Sequence, residues 1–142
     1  MNVNEIMIGD WVWVNDYEHL RPMQVAAIKR KSGSFYAECV DPYDATENCE
    51  CIVDKLKGIV IDEHFLQVNG FAWDTDVESW IKSIPGFSGI TWSLFGEDGE
   101  IDYFMRVYSP STRAQIISSS IYVHQLQHAL ALCGITLEVK PR

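Results

Sequence analysis

Residues 90–108 read Ile90-Thr91-Trp92-Ser93-Leu94-Phe95-Gly96-Glu97-Asp98-Gly99-Glu100-Ile101-Asp102-Tyr103-Phe104-Met105-Arg106-Val107-Tyr108. Ile90, Trp92 and Leu94 alternate with Thr91, Ser93 and Phe95; Ile101, Tyr103, Met105 and Val107 then alternate with Asp102, Phe104, Arg106 and Tyr108. A period of two marks a strand with one covered face. Gly96-Glu97-Asp98-Gly99 supplies the turn between the two runs, so the stretch predicts an antiparallel hairpin. Ser109-Pro110-Ser111 ends it, and Gln115 to Ser118 predicts one more strand. A half-covered sheet needs a lid, and the next segment offers one. Ser120 can cap a helix running to Cys133, with Gly134 as its stop. At about 100° per residue, Tyr122, Val123, Leu126, Ala129, Leu130 and Cys133 share one face, which is expected to dock on the hairpin sheet. Ile135 to Val139 predicts a closing edge strand. Upstream, Phe71 to Asp76 reads as a junction and Val77 to Ile84 as a strand, with a turn at Pro85-Gly86.

The first half of the chain is mostly strand by composition. Trp11-Val12-Trp13-Val14 is aromatic and β-branched, followed by a turn at Asn15-Asp16. Met23 to Ile28, Ser34 to Val40, Cys49 to Val53, and Leu56 to Ile61 (interrupted at Gly58) predict four more strands. Phe35, Ala37 and Cys39 fall on one side of the third strand; Tyr36, Glu38 and Val40 fall on the other. Lys29-Arg30-Lys31 beside Ser32-Gly33-Ser34 predicts a hairpin tip, and Asp41-Pro42-Tyr43-Asp44 a turn. Asp62 can cap a short helix over Glu63 to Asn69 that stops at Gly70. Short strands at this spacing suggest a small curled sheet or barrel. The expected architecture is α+β. Residues 1–70 would form a mostly-β lobe, similar to SH3-like barrels, with a short closing helix. Residues 71–142 would form an antiparallel sheet covered by the C-terminal helix.

Composition excludes several classes. The chain has 142 residues, 47% of them hydrophobic and 22% charged, with five tryptophans. That is ordinary globular usage, not that of a disordered tail, a collagen-like fibre or a coiled coil. A chain of this length buries roughly 68–70% of its unfolded surface. The net charge is −9 and the acids are spread evenly, so binding to phosphate backbones lacks its main driving force. The start, Met1-Asn2-Val3-Asn4-Glu5, lacks the basic and apolar regions of a secretion signal. No apolar run approaches the ~20 residues that span a bilayer. A soluble, cytoplasmic protein with no membrane or nucleic-acid partner is expected.

The motifs that could carry chemistry each miss a necessary residue. His124-Gln125-Leu126-Gln127-His128 has the spacing of the H-E-x-x-H zinc helix, and histidines four apart on a helix can share a metal. The peptidase needs Glu directly after the first His, where this chain has Gln125, which cannot take a proton. The helical projection sets His124 and His128 opposite the apolar face, exposed to solvent or a partner. Gly86-Phe87-Ser88-Gly89 fails the G-x-S-x-G spacing because residue 90 is Ile. There is no Walker A or G-x-G-x-x-G string. Asp41, Asp44, Glu47 and Glu50 do not follow the EF-hand order, and together with Glu97, Asp98, Glu100 and Asp102 they read as solvated turns. Cys49 and Cys51 flank Glu50 on one face of a strand. Buried thiols are the plain reading; a zinc site completed by Cys39 or a histidine is the sharper one. Trp11 and Trp13 share a strand side, Trp92 reads as core, and Trp73 and Trp80 flank the junction. Exposed together with Tyr36 or Tyr43, Trp73 or Trp80 would line a peptide or ligand groove.

Three segments carry a family resemblance: Gly9-Asp10-Trp11-Val12, Leu56-x-Gly58-Ile59 leading into Phe65-Leu66-x-x-x-Gly70-Phe71, and Tyr122-Val123-His124-Gln125-Leu126-Gln127. In these the chain resembles small proteins of Bacteroides-type genomes found among phage-like or mobile-element genes. The third segment is the most specific. The resemblance implies an origin and a layout but brings no catalytic residue.

The expected function is a non-enzymatic interaction module that binds another protein or itself and uses no cofactor. Its candidate binding residues are Tyr122, His124, Gln125, Gln127, His128, Trp73 and Trp80. The alternative is a metal-binding, hydrolase-like protein using His124 and His128, with Glu100 or Asp102 as a third ligand.

Overall fold

A computed structural model describes the backbone of all residues except 17–18, 85–86, 98–99, 109–114, 120–121, 133, 136–137 and 142, and describes no side chain at 16, 19, 45, 87–97, 100–108 or 115–119. The fold is α+β, built mostly of antiparallel strands. Two compact units make up the chain. The first is Met1–Val60 with Tyr122–His124 and Pro141; the second is Ile61–Ile121 with Gln125–Lys140 and Arg142. Among the described residues, no helix is long and apolar enough to cross a membrane.

The first unit holds β1 (Trp11–Asp16), β2 (His19–Lys31), β3 (Ser34–Asp41), β4 (Asp44–Ile52) and β5 (Lys57–Gly58), in the order β4-β3-β2-β1-β5. β1 runs on through Asn15 and Asp16, which pair with Leu20 and His19, so the expected turn there is strand instead. β2 exceeds the expected Met23–Ile28 at both ends. Its N-terminal part includes Pro22, which pairs only with Trp13 of β1, because β3 begins its pairing at Gln24. A proline without an N–H is tolerated where one side of the strand needs no partner. Its C-terminal part is the basic triplet. Lys29 donates to Glu38 and Lys31 to Glu50, at 2.6–2.7 Å for the latter pair. Arg30 lies over the Phe35 ring at 5.7 Å. The tip Ser32-Gly33 takes φ of 49° and 86°, as a two-residue hairpin turn of right-handed strands requires.

β4 and β5 lie at opposite edges of this sheet and do not pair among the described residues, so the sheet is open and no closed barrel forms. It must nevertheless curl. Five flat strands set their outer members about 19 Å apart. Only Val53–Leu56 join β4 to β5, and Val53–Lys55 are wound into a 3-10 turn. A linker that short brings the two edges toward each other. The concave side buries Ile6, Val12, Val14, Met23, Val25, Ala37, Cys39, Val53 and Leu56 as one core. Tyr122–His124 complete the unit: Val60 bridges Tyr122, and the Val123 N–H donates to the Ile59 carbonyl at 2.8 Å.

The second unit opens with α1 (Glu63–Val68), capped as expected by the Asp62 carboxylate, which accepts from the Phe65 N–H at 2.8 Å. Gly70, at φ 77°, ends it. The expected junction contains instead a three-residue strand, β6 (Ala72–Asp74), hairpinned onto β7 (Ser79–Ile84). β8 (Phe87–Glu97), β9 (Glu100–Tyr108) and β10 (Gln115–Ser119) extend the sheet in the order β10-β9-β8-β7-β6. The predicted hairpin is there, with Ile90 opposite Val107, Trp92 opposite Met105 and Glu97 opposite Glu100. Its turn residues 98–99 lie outside the described residues. α2 spans Val123–Leu132 and ends at Gly134, at φ 69°. The Ser120 cap and Cys133 lie outside the described residues. Val123, Leu126, Ala129 and Leu130 are buried as the periodicity predicted, while Tyr122 is half-buried.

Ile135, Glu138, Val139 and Lys140 form no strand. The Asn69 side chain takes the place of a ladder. Its amide donates to the Lys140 carbonyl at 2.7 Å and to Phe65 O at 2.8 Å, and its oxygen accepts from the Lys140 N–H at 2.8 Å. One side chain thereby satisfies both backbone groups that a neighbouring strand would otherwise serve.

Candidate functional site

The tryptophan pair is set by register. β6 and β7 place Trp73 directly opposite Trp80. The rings meet edge to face, with centroids 5.8 Å apart and planes at 67°. That is the arrangement favoured by the ring quadrupoles. Trp80 is 8% exposed and anchors the pair, while Trp73 is 45% exposed. β6 has β7 on one side and, among the described strands, none on the other. The turn that follows is held by the Asp74 carboxylate, which accepts from the N–H groups of Asp76 and Val77 at 2.9 and 3.3 Å. Asp76 and Glu78 in that turn are exposed. An indole, a free strand edge and two solvated carboxylates therefore occupy one end of the sheet.

The helix residues are placed differently from expectation. His124 is 4% exposed, not at the surface. Its ring stacks on Tyr122 with centroids 5.7 Å apart and planes at 17°. Tyr122 in turn lies against Gly58, where a Cβ would come within 2.5 Å of its ring. The helical projection assumed one covered face, whereas the first turn of α2 belongs to the first unit and the rest to the second. Gln125, Gln127 and His128 are half-buried. Among the described residues, no three His, Cys, Asp or Glu side chains form a group that could hold a metal ion. The side chains of Glu100 and Asp102 are outside those described.

A second feature escaped the sequence reading. The first unit carries an open cleft of about 880 Å³, lined by Tyr36, Glu50, Cys51, Asp54, Lys55 and Lys57 among others. Cys51 and Cys49 turn inward from β4 and pack on the core. The Cys49 Sγ lies 3.6 Å from the Met23 Sδ and 3.9 Å from the Cys51 Sγ. Cys39 is opposite Cys49 in register and fully buried. Burial first, and then the neighbouring Cys49 and Cys51, push its thiol up to about 12, so it stays protonated and inert at neutral pH. The C-x-C spacing signalled a shared face; the approach of Met23 from another strand had no local signal. No protein family, curated protein or solved structure matches this chain.

Proposed function

We propose that the protein is a non-enzymatic, cytoplasmic interaction module whose β6 edge receives an extended basic segment of another protein. The observation that carries this reading is the half-exposed Trp73, held edge-on by a buried Trp80, on a strand with a free edge. An unpaired edge offers backbone donors and acceptors to an added strand. Tryptophan is the side chain most enriched among binding hot spots, and its face attracts Lys and Arg. Asp76 and Glu78, beside it, favour a basic partner, as does the net charge of −9. Kinship with small phage-like or mobile-element proteins and an SH3-like form for the first unit belong to the same proposal. The curl imposed by the Val53–Leu56 link supports the latter.

The test is selection of peptides from a displayed random library on the immobilised protein. Selected peptides should be extended and basic, and should shift the amide signals of residues 72–74 and 79–82 in NMR spectra. Trp73→Ala, at a position exposed enough to leave the fold intact, should weaken them about thirtyfold, the loss of one hot spot of about 2 kcal/mol. Peptides that bind Trp73→Ala as tightly as the parent protein overturn the reading.

A further inference from the structure

Four sulfur-bearing side chains of the first unit meet on its concave face. Met23 comes from β2, Cys39 from β3, and Cys49 and Cys51 from β4. Cys49 is the hub, 3.6 Å from the Met23 sulfur and 3.9 Å from that of Cys51. Sulfur ligands about 2.3 Å from one ion stand about 3.8 Å apart at a tetrahedral angle and about 4.0 Å apart in a trigonal plane. Both observed separations fall within a few tenths of an ångström of those values. A linear two-sulfur site would need about 4.6 Å, and the pair does not suit it.

The donor set names the ion. Thiolates and thioethers are the soft ligands of Cu(I), zinc and iron–sulfur clusters; a three-sulfur set that includes a methionine suits Cu(I), since structural zinc takes four ligands from Cys and His. Access is present as well. Cys49 and Cys51 are half-buried, and Cys51 lines the open cleft. Val25, Ala37 and Val53 are buried in the core against which Cys49 and Cys51 pack. Packing alone explains one thiol against a thioether; it does not require two thiols, at i and i+2, converging from an edge strand.

We propose that Cys49, Cys51 and Met23 form a binding site for the soft monovalent ion Cu(I), reached through the cleft beside Cys51. On coordination each thiol releases its proton to solvent and the thioether binds as it stands. This site is separate from the tryptophan surface and does not depend on that reading.

The experiment titrates the reduced protein, free of oxygen, with Cu(I) held by the chelator bicinchoninate. One equivalent should leave the chelator for the protein, and X-ray absorption should report sulfur neighbours only, at about 2.3 Å. Met23→Leu conserves volume and should weaken binding by about tenfold or more, since even the partners that merely orient metal ligands are worth that much. Cys49→Ser and Cys51→Ser, shown to be folded by circular dichroism, should fail to compete with the chelator, while Cys133→Ser should bind as the parent does. The proposal is overturned if the parent protein leaves copper with the chelator. It is equally overturned if nitrogen or oxygen neighbours dominate, or if binding is lost in Cys133→Ser and kept in the other two. The parent result stands without any variant, so a variant that misfolds does not shelter the idea.

Discussion

Gly58→Ala isolates one contact and turns it into a number. Gly58 lies in β5 at a backbone conformation open to any residue, since its φ is not positive. On backbone grounds alone, alanine there should stabilise by about 0.4–1 kcal/mol, because the unfolded chain loses freedom. Space opposes this. The added Cβ would stand 2.5 Å from Cδ1 and 2.7 Å from Cγ of Tyr122. Cγ moves only if the whole ring leaves its rotamer, and the ring is stacked on His124 while its backbone bridges Val60. Overpacking of this kind costs about 1–3 kcal/mol, so the net expectation is a loss of about 1–2 kcal/mol. Urea unfolding followed by circular dichroism measures it, with the slope m unchanged if only the native contact is affected. The decisive arm is the double-mutant cycle. In a Tyr122→Ala background Gly58→Ala should become neutral or stabilising, giving a coupling of about 2 kcal/mol. Equal cost in both backgrounds, or a gain in the parent, would refute the steric argument.

Two further outcomes follow from local chemistry. Asn69→Asp replaces an amide donor, which faces the carbonyls of Phe65 and Lys140, with carboxylate oxygens that repel them. It should destabilise by about 2–3 kcal/mol in the same urea assay, whereas an effect below half a kcal/mol would show that Lys140 is held by something else. The Asp44 carboxyl sits below its ordinary range because the Thr46 hydroxyl and backbone N–H donate to it. Its small contribution to stability is therefore present above the ordinary carboxylate value and is lost as pH falls through the lowered one. An NMR titration should place its midpoint below 3.8, and Thr46→Ala should move it upward; no movement would remove the hydroxyl as the cause.

The second sheet was largely legible because its signal is local. Alternation over 90–94 and 101–107 around a glycine-rich turn leaves one pairing, and Trp92 opposite Met105 realises it. The Asp62 cap and the Gly70 stop were legible for the same reason. What failed was non-local. β2 extends through Lys29 and Lys31 because Glu38 and Glu50 receive them from other strands, and a charged end carries no apolar period to read. β6 is too short to show one. Ile135 to Val139 has the composition of a strand, yet Ile135, Glu138 and Val139 lie in none, and the backbone of the adjoining Lys140 pairs with the Asn69 side chain. In the candidate site, Trp73 and Trp80 stood out along the chain as aromatics, but their pairing across β6 and β7 did not. His124 was assigned to the wrong environment, because one helical projection cannot describe a helix whose first turn belongs to another unit. The approach of Met23 to Cys49 depends on the register of three strands and was invisible along the chain.

The first unit is written in two separate passages of the chain, 1–60 and 122–124. Synthesis runs from the N-terminus, so β1 to β5 leave the ribosome well before the segment that finishes them. Their hairpins are local and need not wait. The ring that covers Gly58 and the N–H that meets the Ile59 carbonyl must wait until residues 61–121 have been made. Closing that long interval costs little more than closing a shorter one, because loop entropy grows only slowly with length. The dependence is therefore one of order, not of strength. A premature stop anywhere between 61 and 121 takes Tyr122–His124 from the unit upstream of it as well as truncating the one downstream. A gene fragment ending near residue 60 therefore encodes the first unit without residues 122–124.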